Sequence, residues 1–533
     1  MHLRVALLAA LTATASLAQT FTVAPIRAHM RFLASDSLEG RGTGTRGHRI
    51  AAEYVASQFE AMGAEPGANG SYFQDVPFLK TIAADESTLT LTPTGGAPVT
   101  LHYAQGFMSA GDPLRRETQL TGDVVYAGFG VTAPDQKYDN YAKLDTRGKI
   151  VAIFSGAPKS FPNEVRAHYS SSLNKAETAA RHGAIGLITL TSPKDAAHYD
   201  WGRVVRQYRL GAMNWIEANG TPHGVAPSLS ATLSLSDPST AAFLTAAKLN
   251  PEDIYAAREE GKPRPMALPM RASAHLLTAR EKVVSPNVVA IIRGTDPQLR
   301  NEYVVYSSHL DHLGITEPVN GDAINNGALD NASGIAATLE IARAFAADRP
   351  RRSILFVATT GEEKGLRGAD YFANNPTVPL KSIVADINID EILMLHKTRD
   401  LTPLGLDNSD LGDYAKKIAK AMNVELSPDP FPEEVIFVRS DQYPFVKQGV
   451  PAIYVGVGSK AVDPKVDMAA EMAKWMTTRY HSPSDDLSQP LDYEAALPLI
   501  EFNYRLGQAV ANADARPRWK PNDFFGKTFG QSR

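Results

Sequence analysis

The chain has 533 residues, more than one ordinary domain holds and enough for two or three. It is 44% hydrophobic and 21% charged, the balance of a soluble globular protein. A formal net charge of -4 leaves no basic field for nucleic acid or anionic membrane, and a cysteine count of 0 removes disulfides, thiolate ligands and a cysteine nucleophile together.

Taken in chain order, the first residues read as an export signal. His2 and Arg4 precede the apolar run from Val5 to Leu11, and a small-residue stretch points to cleavage after Ala18. A buried N-terminal helix is the alternative reading. The run is too short to span a bilayer, and no later stretch reaches about 18 uninterrupted apolar residues. The expectation is an exported chain, periplasmic or extracellular, with a signal at 1–18 and no stable membrane anchor.

A first α/β segment, 19–80, follows. Ile26, Met30 and Leu33 recur at helical spacing, Gly40-Arg41-Gly42-Thr43-Gly44 makes a turn, and a second helix carries Ile50, Tyr54, Val55, Phe59 and Met62, with Gly63 as its C-cap. Residues 81–282 change texture. Leu89-Thr90-Leu91, 122–126, 148–154 and 184–190 read as short strands and 175–182 as a helix, so this stretch is expected to form a separate inserted, β-rich α/β domain without a metal. Strand and helix alternation resumes in 283–515: strands at 287–292, 303–308, 353–358, 383–389 and 451–455, and a helix at 334–345. This alternation predicts an α/β fold with a mostly parallel central sheet flanked by helices. The tail, 516–533, is rich in proline, glycine and charge, and is expected to pack loosely.

Nearly all the residues that carry chemistry stand at or just past the carboxyl ends of these strands, where open α/β sheets bind ligands. His309 and Asp311 follow one strand, Glu362-Glu363 another, and Asp390 closes a third, while Asp330 lies in Gly327-Ala328-Leu329-Asp330-Asn331 and His481 in Tyr480-His481-Ser482. Two adjacent carboxylates resist joint ionisation, a cost that a cation relieves. Each motif has a plainer reading: a hydrogen-bonded loop pair for His309 and Asp311, a solvated helix start for Glu362-Glu363. Together, two imidazoles and several carboxylates form a ligand set suited to zinc. His312 finds no remaining ligand slot and reads as a solvated or hydrogen-bonded histidine. No Gly-x-Ser-x-Gly elbow supports a serine hydrolase, and Gly40–Gly44 follows no strand, so it reads as a turn near the site rather than a nucleotide loop.

These motifs resemble the co-catalytic di-zinc aminopeptidases of metallopeptidase family twenty-eight, whose relatives include glutamate carboxypeptidase II and glutaminyl cyclases. The middle stretch, through Tyr126-Ala127-Gly128-Phe129-Gly130 and 138–153, resembles a protease-associated (PA) domain. The resemblance implies the zinc-aminopeptidase/phosphorylase-like fold and two zinc ions per chain: His309 and Asp390 on one, Glu363 and His481 on the other, Asp330 bridging. It implies Glu362 as general base toward a zinc-activated water, Asp311 as partner of the second His309 nitrogen, and often a cis peptide after the bridging aspartate. By the same resemblance the Tyr480 phenol stabilises the oxyanion, with simple packing as the alternative, and Arg439 orients substrate, with a surface salt bridge as the alternative. The function so implied is a secreted zinc-dependent exopeptidase acting on peptide substrates, removing an N-terminal residue. Alternatives are a glutaminyl cyclase-like or carboxypeptidase-type relative, or a non-catalytic binding protein on the same scaffold. The middle domain is expected to cover part of the cleft and to limit entry to short or unfolded peptides.

Overall fold

The computed structural model describes residues 21–198 and 200–530, so the export signal expected at 1–18 lies outside the described residues. Helices α1 (Val23–Leu33) and α2 (Arg46–Ala61) open this part and bury Ile26, Met30 and Leu33, and Val55 and Phe59, on the face their spacing sets up. Gly63 follows α2 at φ +74°, a left-handed turn that glycine makes without a steric penalty.

After strand β1 (Phe73–Ala83), the middle of the chain builds its own sheet. Strands β2 (Glu117–Tyr126) and β3 (Ile150–Phe154), helix α3 (Asn163–Ser170), strand β4 (Gly186–Leu190), helix α4 (Trp201–Arg209) and strand β5 (Ala231–Leu235) make up most of it. The order β2-β3-β4-β5 is parallel throughout. Strand β6 (Met266–Ile292) then runs for 27 residues. Its first half pairs with β2, and its second half pairs with β1 from Thr278 to Val288. One strand therefore belongs to both sheets. Only its last six residues, 287–292, read as a strand in the sequence. The rest alternates buried alanine, leucine and methionine with polar residues and includes Pro269 and Pro286, which blurs the period-2 signal.

The remaining elements are β7 (Tyr303–His309), α5 (Ser333–Ala347), β8 (Ser353–Thr359), β9 (Ile383–Asn388), β10 (Asp400–Leu404), β11 (Ala452–Val457), α6 (Met468–Thr478), α7 (Leu497–Asn512) and α8 (Phe524–Phe529). The second sheet runs β1-β6-β8-β7-β9-β11-β10. The four inner strands β8, β7, β9 and β11 are parallel, and β6 and β10 flank them antiparallel. Burial on both faces explains why these four read as continuous apolar runs. On one face α1, α2, α5 and α7 pack against Val304, Tyr306, Ile354, Phe356 and Ile387. On the other, Phe372 and Phe445 cover Val305, Leu355 and Val357. The fold is α/β, with a large central sheet flanked by helices.

The tail corrects an expectation. Phe525 of α8 is fully buried against Phe437 and Tyr443, so the segment from 516 is docked rather than loose. A single buried aromatic ring outweighs the composition around it. No described helix is long and apolar enough to cross a membrane.

Candidate metal centre

The inner strands end at one rim, and the sequence places its ligand types there. His309 is the last residue of β7, Glu362 and Glu363 lie just past β8, and Asp390 stands two residues past β9. Asp330 sits in the turn before α5, and His481 in the loop after α6. All five expected ligand positions converge.

Asp330 stands between two groups. Its Oδ1 lies 3.2 Å from His309 Nε2, which is 2.9 Å from Asp390 Oδ1. Its Oδ2 lies 3.2 Å from His481 Nε2, which is 3.1 Å from Glu363 Oε2. A tetrahedral zinc with arms of about 2.0 Å separates its ligand atoms by roughly 3.3 Å, so these spacings are close to the edges of two such polyhedra. Asp330 Oδ2, Glu363 Oε1 and both His312 nitrogens are buried without a well-formed hydrogen bond among the described residues. Buried polar atoms are ordinarily satisfied, and orphaned acceptors facing imidazoles are what a cation site leaves. The residues present therefore fit two zinc ions.

His312 departs from its sequence reading. It is fully buried, and Nδ1 stands 2.6 Å from Glu363 Oε1 and 3.7 Å from Asp330 Oδ2. Its ligand atoms fall within one group with those of Asp330 and Glu363. The His-x-Asp-His spacing held this signal, masked because the resemblance had filled every ligand slot. Asp311 also differs in detail. His309 Nδ1 faces the backbone carbonyl of Asp311 at 3.0 Å, whereas the Asp311 carboxylate accepts from Thr43 Oγ1 at 2.7 Å and from the Glu362 N–H at 3.1 Å. The main chain fixes the His309 tautomer, and the side chain braces the loop that carries Glu362.

Several supporting residues carried no assigned role in the sequence. Asp485, fully buried, accepts from the N–H groups of Leu329 and Asp330, at 3.1 Å and 3.0 Å, and holds the bridging turn. The Asp330-Asn331 peptide is cis, as the resemblance implied. Asn331 donates to Ser308 Oγ and accepts from the Gly334 and Glu391 N–H groups. Ser440 donates to Asp390 Oδ2 at 2.5 Å. Arg41, from the glycine-rich turn, is buried and donates to the carbonyls of Leu310, Asn326 and Gly327. Its charge faces Asp330, Asp485, Asp311 and Glu363, a fixed cation behind an acidic cluster. Gly40 must be glycine here: at φ +68°, a Cβ would lie 2.4 Å from the Asn325 carbonyl oxygen.

Burial pushes the Glu362 carboxyl up, and Glu363 and Asp390 add to it, so it is held well above the usual carboxylate range. Burial pushes Asp330 the same way, but His312, His309 and His481 outweigh it and hold that carboxyl well below its usual range. The two carboxylates are thus driven apart by their surroundings.

Two cavities meet at the centre. One, of about 280 Å³, has His309, Asp330, Glu362 and Asp390 at one end and Leu393, Phe431, Val457, Met472 and Met476 in its walls. The other, of about 1160 Å³, lies between the middle segment and the main sheet, with Glu363 and His481 among its lining residues. Tyr480 and Arg439 line both. Tyr480 stacks on His481 with ring centroids 3.8 Å apart, and Arg439 Nη1 donates to Glu434 Oε2 at 3.1 Å.

Residues 287–501 match the model described as Peptidase family M28. A probable zinc metalloprotease of Pyrenophora tritici-repentis is 27% identical over 277 residues, which is 44% of this chain and 60% of that relative. One of Pyricularia oryzae is 45% identical over 87 residues, 16% of this chain and 17% of the relative. The chain thus spans less than two thirds of the length of these curated relatives. Among solved structures, an aminopeptidase from Aneurinibacillus sp. strain AM-1 shares the fold at a TM-score of 0.54 and 19% identity, covering 94% of this chain and 97% of that one.

Proposed function

We propose that this chain, which carries a domain of peptidase family M28 over residues 287–501, is an exported zinc-dependent exopeptidase that removes the N-terminal residue of peptides. The observation that carries the reading is the sharing of Asp330 between two His–carboxylate groups, with Glu362 in the same cavity. His309, Asp330 and Asp390 would hold one zinc ion, and His481, Asp330 and Glu363 the other, with His312 beside Glu363. Bound zinc supplies Lewis-acid polarisation of the scissile carbonyl and lowers the pKa of water from about 15.7 towards about 7.

The chain's own residues supply the rest. Glu362 is the general base: it takes the proton from the attacking water and delivers it to the leaving amine. Tyr480, which lines both cavities, donates to the developing oxyanion in this reading. Arg439, which also lines both, serves to orient the peptide.

The surroundings favour an amine over a carboxylate in the smaller cavity. Glu362, Asp390, Glu391, Asp429, Glu433 and Glu434 line the smaller cavity against a single arginine, Arg439. Carboxyl oxygens there accept hydrogen bonds from a free α-amino group, and Arg439 is the one guanidinium offered to a terminal carboxylate, which supports aminopeptidase over carboxypeptidase action. The apolar walls suit a large apolar first residue, and the rest of the peptide extends into the larger cleft. Two metal groups, rather than one, weigh against a cyclase. The middle segment, read as a PA-type insertion, walls that cleft and restricts it to short or unfolded peptides.

The test is a panel of free-amine and N-blocked peptides with metal analysis. Cleavage of the free-amine set alone, lost on chelation and restored by zinc, is expected. Equal cleavage of blocked peptides refutes the direction, and chelator-insensitive turnover refutes the class.

A further inference from the structure

The metal centre is met by a helix from the middle segment, 274 residues away in sequence. Helix α4 is anchored on its own sheet, where Trp201 Nε1 donates to the Ala104 carbonyl at 2.8 Å and Tyr208 Oη lies 3.2 Å from Ser234 Oγ. Its N-cap, Asp200, accepts from the Arg203 N–H at 3.1 Å. Arg203 and Gln207 are four residues apart and so share one face of the helix. That face grips two consecutive residues of the catalytic loop. The Arg203 guanidinium lies 5.2 Å from the Tyr480 ring centroid, and Gln207 Nε2 of the side-chain amide stands 2.7 Å from His481 Nδ1. His481 is at φ +53°, a left-handed conformation that few non-glycine residues adopt, so its placement depends on surrounding contacts.

The chemistry of the imidazole fixes what Gln207 must do. His481 Nε2 faces Asp330 and Glu363, so that nitrogen is the one offered to a metal. A ring that gives its Nε2 lone pair to a cation carries its proton on Nδ1 and needs an acceptor there. A side-chain amide presents either NH₂ or C=O by a half-turn about its last bond. We propose that Gln207 is a positioning residue of the metal centre. Its side-chain oxygen accepts the Nδ1–H of His481, holds Nε2 toward the metal, and makes seating of α4 part of metal binding on that side. This rests on the reading of His481 as a zinc ligand. The His309 group has its own acceptor in the Asp311 carbonyl and is independent of α4.

The test uses the full-length protein loaded with zinc and titrated with a chromophoric chelator. Gln207→Leu removes the acceptor, and Gln207→Glu keeps one. In Gln207→Leu, one ion is expected to loosen about 10–100-fold while the other keeps its wild-type affinity; in Gln207→Glu both stay tight. Unchanged affinities in Gln207→Leu overturn the inference. So does equal loosening in both variants, which marks packing alone. Wild-type protein that takes up no zinc overturns the functional reading itself and this inference with it, so the two failures are distinguishable.

Discussion

At the scale of single residues, adjacent acids take opposite roles because their surroundings differ. Glu363 is met by His481 and His312, whereas Glu362 faces the cavity beside other carboxylates. Changing Glu362 to glutamine is expected to leave zinc content intact and lower turnover by about 10²–10⁴-fold, measured as kcat with metal analysis on the same sample. Retained turnover moves the base elsewhere. Arg41 makes a different prediction. Removing it leaves buried carbonyls unpaired and an acidic cluster uncompensated, so Arg41→Met should cost about 3–5 kcal/mol in denaturant unfolding. A loss below about 1 kcal/mol contradicts that role. The residue types of the centre were legible in sequence because His309, Glu362, Glu363 and Asp390 stand at or just past the ends of apolar strands. Arg41, Asp485 and Gln207 were not. They act through backbone groups or through a neighbour's ring, and nothing in their local sequence marks such a partner.

At the scale of elements, α3 meets the body of the protein through a titrating group. The Glu164 carboxyl is raised from 4.5 to about 7, by burial first and then by nearby Asp523, with Asn408 and the Gly405 N–H opposing. A carboxyl with a raised folded-state pKa stabilises fully below about pH 4.5, and that contribution is lost as pH rises through about 7. Thermal unfolding of Glu164→Gln, which stays neutral, should therefore lack the decline that the wild type shows across this window. Parallel pH profiles for the two proteins contradict the assignment. The elements on either side illustrate what periodicity conveys. The helices at Ile26–Leu33 and Ile50–Met62 were legible from an apolar stripe, and the inner strands from unbroken apolar runs. The long β6 was not, because a strand that changes sheets changes which face is buried and on which side. Nor was α8, whose anchoring Phe525 is isolated among proline, glycine and charge.

At the scale of the whole molecule, β6 joins the two sheets into one continuous ladder, and this decides how the middle segment can be removed. Excising residues 81–282 cuts the β1–β6 pairing that supports the central sheet. Ala83 and Thr278 are paired across that ladder, and the Ala84 N–H donates to the Leu277 carbonyl at 2.8 Å. A two-residue Asn-Gly turn joining Ala83 to Thr278 would close a hairpin and keep register. Such a chain also lacks Gln207, so it is assayed with zinc in excess; it is expected to cleave long peptides relative to dipeptides at a higher ratio than the wild type, and an unchanged ratio removes the middle segment from substrate selection. The arrangement of the rim, with His309, His481, Glu363 and Asp390 around Asp330, remains the claim on which the rest stands. Anomalous scattering at the zinc edge from crystals of the zinc-loaded protein tests it directly. The account predicts two peaks sharing Asp330, one against His309 and Asp390, the other against Glu363 and His481. A single peak, or peaks away from Asp330, would contradict it.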